Sequence, residues 1–239
     1  MKALEKACWV KTYKEEKGMD ARPTTYIVNG CRGATDRGCP RALPVEADWL
    51  ERLGKVVEDA GWPEFLLHAQ KDASPAGPKK HTHFRIAVAA CPNGCSRPHI
   101  ADLGLIRAVR PTVNPDSCIG CGVCRQVCPD GAIRMNNKLP VIDREVCQRC
   151  GRCIAACPSH SLLPEHEGWR VLVGGHLGRH PRLGLELPGA SFGTYSGDEV
   201  ESLLHRMVCL YMRHSNGKGR FGNVLEERGG AEVLFQGGE

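Results

Sequence analysis

The sequence predicts an α+β protein in which one sheet carries helices on one face and is interrupted by a compact cysteine-rich insert. Three observations lead there. Residues 24–28, 84–90, 105–113 and 169–174 are short apolar or β-branched runs of strand length. Residues 45–62 and 198–214 instead repeat their apolar positions with helical spacing. Eight of the 14 cysteines crowd into residues 118–157, between the third and fourth of those strands.

The elements follow in chain order. Thr24 to Val28 reads as a strand that ends at the turn signal Asn29-Gly30 and delivers Cys31. From Val45 to Trp62 a helix is expected, with Leu50, Leu53, Val56, Val57 and Ala60 on one face, Glu46 and Asp48 near its start and Gly61 at its end. Lys71 to Lys80, with Ser74, Pro75, Gly77 and Pro78, reads as a loop. Phe84 to Ala90 is the clearest strand; it is apolar on both faces toward its end, as a central strand would be, and presents Cys91 at its tip. Residues 105–113 predict a further strand, and Trp169 to Gly175 returns to the sheet. The last long helix runs from Asp198 to His214, with Val200, Leu203, Leu204, Met207, Val208 and Tyr211 as its buried stripe, Ser196 or Asp198 near its start, and Cys209 as a structural thiol. The expected organisation is residues 1–113 and 163–228 as one domain and 114–162 as an insert. Glu232 to Gly237 matches a viral protease cleavage site, so residues 229–239 are read as a tail outside the fold.

With 41% apolar and 25% charged residues the composition is that of a globular chain, and no apolar run has the roughly 18 residues a membrane helix needs. The charge balance of 32 Lys and Arg against 27 Asp and Glu is too even for a nucleic-acid footprint, so a small anion is the better expectation. Fourteen cysteines fall short of a disulfide scaffold, and no secretory signal opens the chain; the expectation is metal-binding thiolates in a cytoplasmic protein.

Cysteine spacing carries the chemistry. Cys118-Ile-Gly-Cys121-Gly-Val-Cys124-Arg-Gln-Val-Cys128-Pro129 and Cys147-Gln-Arg-Cys150-Gly-Arg-Cys153-Ile-Ala-Ala-Cys157-Pro158 are two copies of the bacterial ferredoxin run. Three close thiolates wrap one cubane while the fourth is carried to the other. One [4Fe–4S] cluster is therefore assigned to Cys118, Cys121, Cys124 and Cys157, the other to Cys147, Cys150, Cys153 and Cys128. Gly120, Gly122 and Gly151 let backbone amides approach the sulfides. Zinc knuckles would predict CxxC pairs rather than quartets ending in Cys-Pro. Cys31, Cys39, Cys91 and Cys95 supply four thiolates for a third cluster, against the alternative of buried free cysteines.

Ala90-Cys91-Pro92-Asn93-Gly94-Cys95-Ser96-Arg97-Pro98, followed by Ala101 to Ile106, resembles the signature segment of the sirohaem-dependent sulfite and nitrite reductases. The resemblance runs from about residue 24 to residue 228. Together with the insert and the segment His176 to Leu183, it points to dissimilatory-type and anaerobic sulfite reductase subunits. It implies a sulfite-reductase-like half carrying a two-cluster ferredoxin domain, with Cys95 also bridging to sirohaem iron. Two departures stand out. The family's upstream cysteine pair usually has five intervening residues, whereas seven separate Cys31 from Cys39. Family members also combine two related halves, and only about 30 residues precede Cys31, so a second copy or another chain is expected to complete the site.

The resemblance implies six-electron reduction of sulfite to sulfide, with electrons passed through the insert from a donor protein; nitrite is the alternative substrate. A clusters-only electron-transfer subunit is the alternative of a different kind. The cations expected to meet the oxyanion and the tetrapyrrole carboxylates flank the cysteines: Arg32, Arg37, Arg41, Lys79, Lys80, His81, His83, Arg85 and Arg97. His176, Arg179, His180 and Arg182 form a further basic group after the 169–174 strand.

Overall fold

The computed structural model describes residues 25–70, 78, 82–189 and 191–235. A five-stranded sheet forms its frame in the order β1 (Tyr26–Gly30), β2 (Phe84–Ala89), β3 (Leu103–Val113), β6 (Leu162–Val173) and β7 (Leu185–Glu186). β1, β2 and β3 are parallel neighbours, whereas β6 runs antiparallel to β3 and β7 antiparallel to β6. A parallel connection cannot be a tight hairpin. Two helices, α1 (Trp49–Asp59) and α2 (Trp62–Ala69), connect β1 to β2. Gly61 separates them in a left-handed conformation, φ 85°, where the sequence pattern predicted one continuous helix to Trp62.

Alternation along the strands divides the sheet into two unlike faces. Phe84, Ile86, Val88, Leu103, Leu105, Val171 and Val173 point into the main core, together with α1, α2, α5 (Gly197–His214) and α6 (Phe221–Glu227). Aromatic pairs tie these layers together. Trp49 stacks on Trp169 at 5.3 Å, Trp62 stacks on Tyr211 at 4.8 Å, and Phe84 meets Phe221 edge-on at 5.8 Å. Such pairs contribute about 0.5–1.5 kcal/mol each beyond the area they bury. The Trp62 indole N–H also donates to the Thr25 carbonyl at 2.9 Å, so its polar edge is satisfied inside the core. α5 starts with a capping box between Ser196 and Glu199, as the Ser196 signal anticipated.

The opposite face is narrower and carries Ala89, Ile106 and Leu172. Residues 90–102 cross it to join β2 to β3, with only a 3-10 turn at Pro98–Ile100 in place of a crossover helix. The approach is close: a Cβ on Gly104 would lie 2.1 Å from the Pro98 carbonyl oxygen. This is the segment that carries Cys91 and Cys95.

β3 and β6 form a long antiparallel pair, from Leu103 opposite Val173 to Val113 opposite Leu162. Everything between Val113 and Leu162 therefore hangs from the far end of that pair. It holds a two-stranded sheet, β4 (Ile133–Asn136) and β5 (Leu139–Ile142), and two short helices, α3 (Val123–Val127) and α4 (Arg152–Ala155). Its small core is built from Cys124, Ile133, Cys153, Cys157 and Leu162.

One segment differs from expectation at the C-terminal end. Residues 231–234, read as part of a tail, form a 3-10 turn in which Ala231 and Leu234 are buried in the main core. Two apolar side chains that find a hydrophobic surface fold onto it whatever sequence motif overlaps them.

Candidate metal centres

The cysteines at positions 31, 39, 91, 95, 118, 121, 124, 128, 147, 150, 153 and 157 are free. They gather into three groups. Cys31 follows β1 and Cys91 follows β2, so two parallel neighbouring strands deliver them side by side. The Ala90 N–H donates to Cys31 Sγ at 3.3 Å, and the Asn93 side-chain amide donates to Cys95 Sγ at 3.0 Å. Burial raises the Cys91 thiol above its ordinary range, and negative charge on Cys31, Cys39 and Cys95 raises it further. Cys31, Cys39 and Cys95 therefore all lie within electrostatic reach of Cys91, although 63 residues lie between Cys31 and Cys95.

The remaining eight cysteines form two groups across the repeat. Burial raises the Cys124 thiol, with added contributions from Cys121 and Cys157, so the last cysteine of the second run lies beside the first run. Reciprocally, burial raises Cys150, with Cys128 and Cys147 adding to it. Cys128, Cys147, Cys150 and Cys153 line one small pocket, together with Ile133, Ile142 and Gly151. Cys157 behaves differently from its neighbours. Burial raises it, yet hydrogen bonds from Ser161 at 3.2 Å and Ser159 at 3.7 Å and from backbone amides bring it down to about 6, favouring thiolate at neutral pH.

Among the described residues, no three His, Cys, Asp or Glu side chains are placed to hold a single metal ion. A cubane makes a different demand, because each thiolate binds its own iron and the four surround the cluster body. Free cysteines grouped around Cys91, Cys124 and Cys150, with amide or hydroxyl donors aimed at several sulfurs, are compatible with that demand.

The basic residues divide by location. Arg32, Arg37 and Arg97 are exposed on the loops that carry Cys31, Cys39 and Cys95, and Arg97 sits in a left-handed conformation at φ 61°. Arg41 is exposed and lines a second cavity with Pro40 and Leu43 on one side and Cys150, Gly151 and Arg152 on the other. His83 and Arg85 lie at the opposite end of β2 from Cys91, about 20 Å or more away by strand rise. His83 is buried with Nε2 3.3 Å from the Pro78 carbonyl oxygen, and Arg85 is exposed. Lys79, Lys80 and His81 lie outside the described residues, as do Cys8 and most of the 71–80 loop. His176 is buried against the His180 carbonyl at 3.0 Å, and Arg182 pairs with Glu226 at 2.5 Å, which ties that loop to α6. Cys209 on α5 is disulfide-bonded rather than a lone thiol.

Sequence reasoning passed over the residues that hold the thiol loops in place. Asn93, Ser159 and Ser161 are three, and their proximity to cysteines was the available signal. Arg149 is the fourth. Its guanidinium donates to the Phe192 and Gly193 carbonyls at 2.9 and 2.8 Å and lies 3.4 Å from Glu186, fastening the second cysteine loop to the segment beyond β6. Its signal lay in the repeat itself, because Arg149 stands where the first copy has Gly120, and both have positive φ, 58° and 70°.

Comparison with known proteins places this architecture. The family described as the nitrite and sulphite reductase 4Fe-4S domain matches residues 67–236, more than half the chain; Cys31 and Cys39 precede the match. A coenzyme F420-dependent sulfite reductase of Methanocaldococcus jannaschii is 37% identical over 132 residues, which is 55% of this chain and 20% of that protein. One of the subunits of the anaerobic sulfite reductase of Salmonella typhimurium is 37% identical over 51 residues, 21% of this chain and 15% of its own length. The chain thus spans a fifth or less of the length of these two relatives. Among solved structures, dissimilatory sulfite reductase I superposes with a TM-score of 0.52 at 17% identity, covering 87% of this chain and 51% of that one; the likeness is one of fold.

Proposed function

The chain belongs to the nitrite and sulphite reductase 4Fe-4S domain family, and we propose that it works as a sirohaem- and iron–sulfur-dependent reductase that takes sulfite to sulfide. The observation that carries this reading is that free cysteines gather around Cys91 at the strand ends of the sheet and around Cys124 and Cys150 in the insert. In it, Cys31, Cys39, Cys91 and Cys95 would hold the family's cluster on residues 1–113 and 163–228. Residues 114–162 are a ferredoxin-like domain with two further clusters, held by Cys118, Cys121, Cys124 and Cys157 and by Cys128, Cys147, Cys150 and Cys153. Sirohaem and clusters, when bound, would supply single-electron storage and the open iron site on which a six-electron reduction depends.

The chain's own residues supply position and charge. Cys95 is the most open thiol of the sheet group, suited to reach a cofactor beyond the protein surface. Arg32, Arg37, Arg41 and Arg97 are exposed on the segments that carry Cys31, Cys39 and Cys95, and guanidinium forks match both tetrapyrrole carboxylates and sulfite. Arg41 and Pro40 also share a cavity with Cys150, which sets the second insert group beside the loop of Cys39. The first group carries Cys121, the one exposed thiol among the eight of the insert, with Cys118 half-buried. That polarity suits a path that begins at the outer group and ends at the sheet.

The relatives support sulfite over nitrite as substrate, since those at 37% identity are a sulfite reductase and one subunit of another. An electron-transfer subunit carrying clusters without sirohaem is the second reading, since one relative at 37% identity is a single subunit of an anaerobic sulfite reductase. Anaerobic purification with iron quantification and acid–acetone extraction of tetrapyrrole from one sample tests both. About thirteen irons with one extractable sirohaem per chain is the expected result for the reductase. About twelve irons and no tetrapyrrole points to the electron-transfer reading, and about eight would sink the assignment of the sheet group.

A further inference from the structure

The outer face of the β4–β5 hairpin breaks the pattern of a solvated sheet. Ile133 pairs with Ile142 and Met135 with Pro140 on the inner side, where all are buried or half-buried. On the outer side Arg134 pairs with Val141 and Asn136 with Leu139, and all four are exposed. Half of that outer side is branched aliphatic, where strand alternation calls for polar residues. Ile119, 66% exposed, extends the same patch. It lies between Cys118 and Cys121, and its neighbour Gly120 is pressed against the Lys138 turn, where a Cβ would lie 2.8 Å from Lys138 Cβ. Cys118 Sγ is 4.0 Å from the Lys138 carbonyl oxygen, so the patch and the outer cysteine group are contiguous.

The cations beside this patch lack the acidic partners that the arginines of β3 and β6 have. Arg107, Arg110, Arg149, Arg170 and Arg182 each meet a glutamate. Arg134 and Lys138 meet no acidic side chain among the described residues. Exposed aliphatic side chains rimmed by unpaired cations, beside the cysteine loop that carries the one exposed thiol of the insert, form a surface suited to an acidic partner.

We propose that Ile119, Leu139 and Val141, with Arg134 and Lys138 at their rim, are the docking face for a small acidic one-electron carrier protein. A second copy of this chain is disfavoured as occupant, since at net charge +5 it would bring like charge to a cationic rim. The inference rests on the reading of Cys118, Cys121, Cys124 and Cys157 as cluster ligands. The balance is simple: the carrier loses one electron and the outer cluster gains it, with no bond made or broken.

The test uses the full chain, reconstituted anaerobically, with an acidic flavodoxin as probe. Oxidised flavodoxin gives a dissociation constant by calorimetry without electron transfer. Its hydroquinone form gives a second-order rate, because the one-electron oxidation of flavin to neutral semiquinone is seen apart from iron–sulfur absorbance. Arg134→Glu with Lys138→Glu is expected to weaken binding and slow reduction by about tenfold or more at low ionic strength, and to flatten the salt dependence. Val141→Ser, which leaves the charges and the cysteine loops untouched, should weaken binding severalfold, while Arg213→Glu on α5 should change neither constant. Reduction by dithionite should be the same in all variants.

Unchanged binding and rate in the charge-reversed protein, with iron content intact, would overturn the docking face alone. Dimerisation through this patch, abolished by the same substitutions with flavodoxin binding unaffected, would overturn it too. Absence of iron from the insert of the parent protein would instead sink the cluster reading, and this inference with it.

Discussion

Two kinds of ground carry the cysteines, and they differ in what holds them still. The sheet group is fixed from behind by the main core, where Trp49, Trp62, Phe84, Trp169, Tyr211 and Phe221 are packed between the sheet and four helices. The insert has no such backing. Its core is five residues, three of them cysteines proposed as ligands. A fold that must bury its own metal ligands to have a core at all depends on the metal for stability. The sheet group is built by the fold, whereas the insert groups help build theirs.

The largest effect should therefore come from removing iron. Anaerobic chelation is expected to abolish hydrogen-exchange protection across residues 114–161 while β1, β2, β3, β6 and α5 keep theirs. Uniform loss of protection in both regions would erase the distinction. Next in size is the loss of one centre. Cys91→Ser should remove about four irons per chain and leave the insert folded. Cys121→Ser should remove a similar amount and also loosen the insert, because its ligand and its core are shared. Equal behaviour of the two variants in exchange experiments would break the comparison.

The same contrast decides what could be read from sequence. The insert runs are readable because the cysteines proposed as ligands follow a local repeat: its spacing pairs Cys124 with Cys157 and Cys150 with Cys128, and each of these pairs lies within electrostatic reach. The sheet group is assembled from distant segments, so spacing left Cys31 doubtful, while parallel β1 and β2 bring it to Cys91. Strands β1, β2 and β3 and helix α5 fell near their expected places because each carries a strong period. The split of α1 from α2 turned on one left-handed glycine, and the turn at 231–234 on burial of Ala231 and Leu234, which no local pattern encodes. The basic residues were read as one group by closeness in sequence. An extended strand separates His83 and Arg85 from the cysteines by its whole length.

A smaller effect concerns the segment that spans the open face of the sheet. Asp102, fully buried at its end, accepts the Arg85 N–H at 2.9 Å, and its own carbonyl accepts the Gly174 N–H at 2.9 Å. Burial pushes its carboxyl up to about 7, against the opposing pull of the Arg85 amide and the charges of Arg220 and Arg85; Tyr211 is the other titratable group beside it. An acid whose pKa is higher folded than unfolded binds more protons in the folded state between the two values. Stability should then fall as pH rises from about 4 toward 7, by a total of about 4 kcal/mol, and be flat above. Asp102→Asn keeps the acceptor and removes the titration, so denaturant midpoints measured between about pH 5 and pH 7 should lose that slope. An unchanged slope would assign the pH dependence to other groups.

The smallest expected effect lies where the two regions meet. Arg149 holds an unfavourable left-handed backbone that its repeat counterpart, Gly120, adopts without cost. The guanidinium explains the choice, since it ties the second cysteine loop to Phe192 and Gly193 and meets Glu186, which Arg170 also grips at 2.7 and 2.5 Å. Arg149→Gln removes the clamp and keeps the strained conformation, and should cost about 1–3 kcal/mol. Arg149→Gly removes the clamp but relieves the backbone by roughly 1 kcal/mol, so it should cost less than the glutamine variant. Hydrogen exchange at residues 147–153 and 191–195 reads the effect, since both segments should loosen together. If only 147–153 responds, the clamp serves the cysteine loop alone, and the insert reaches the sheet through the Val109 and Cys150 bridge instead.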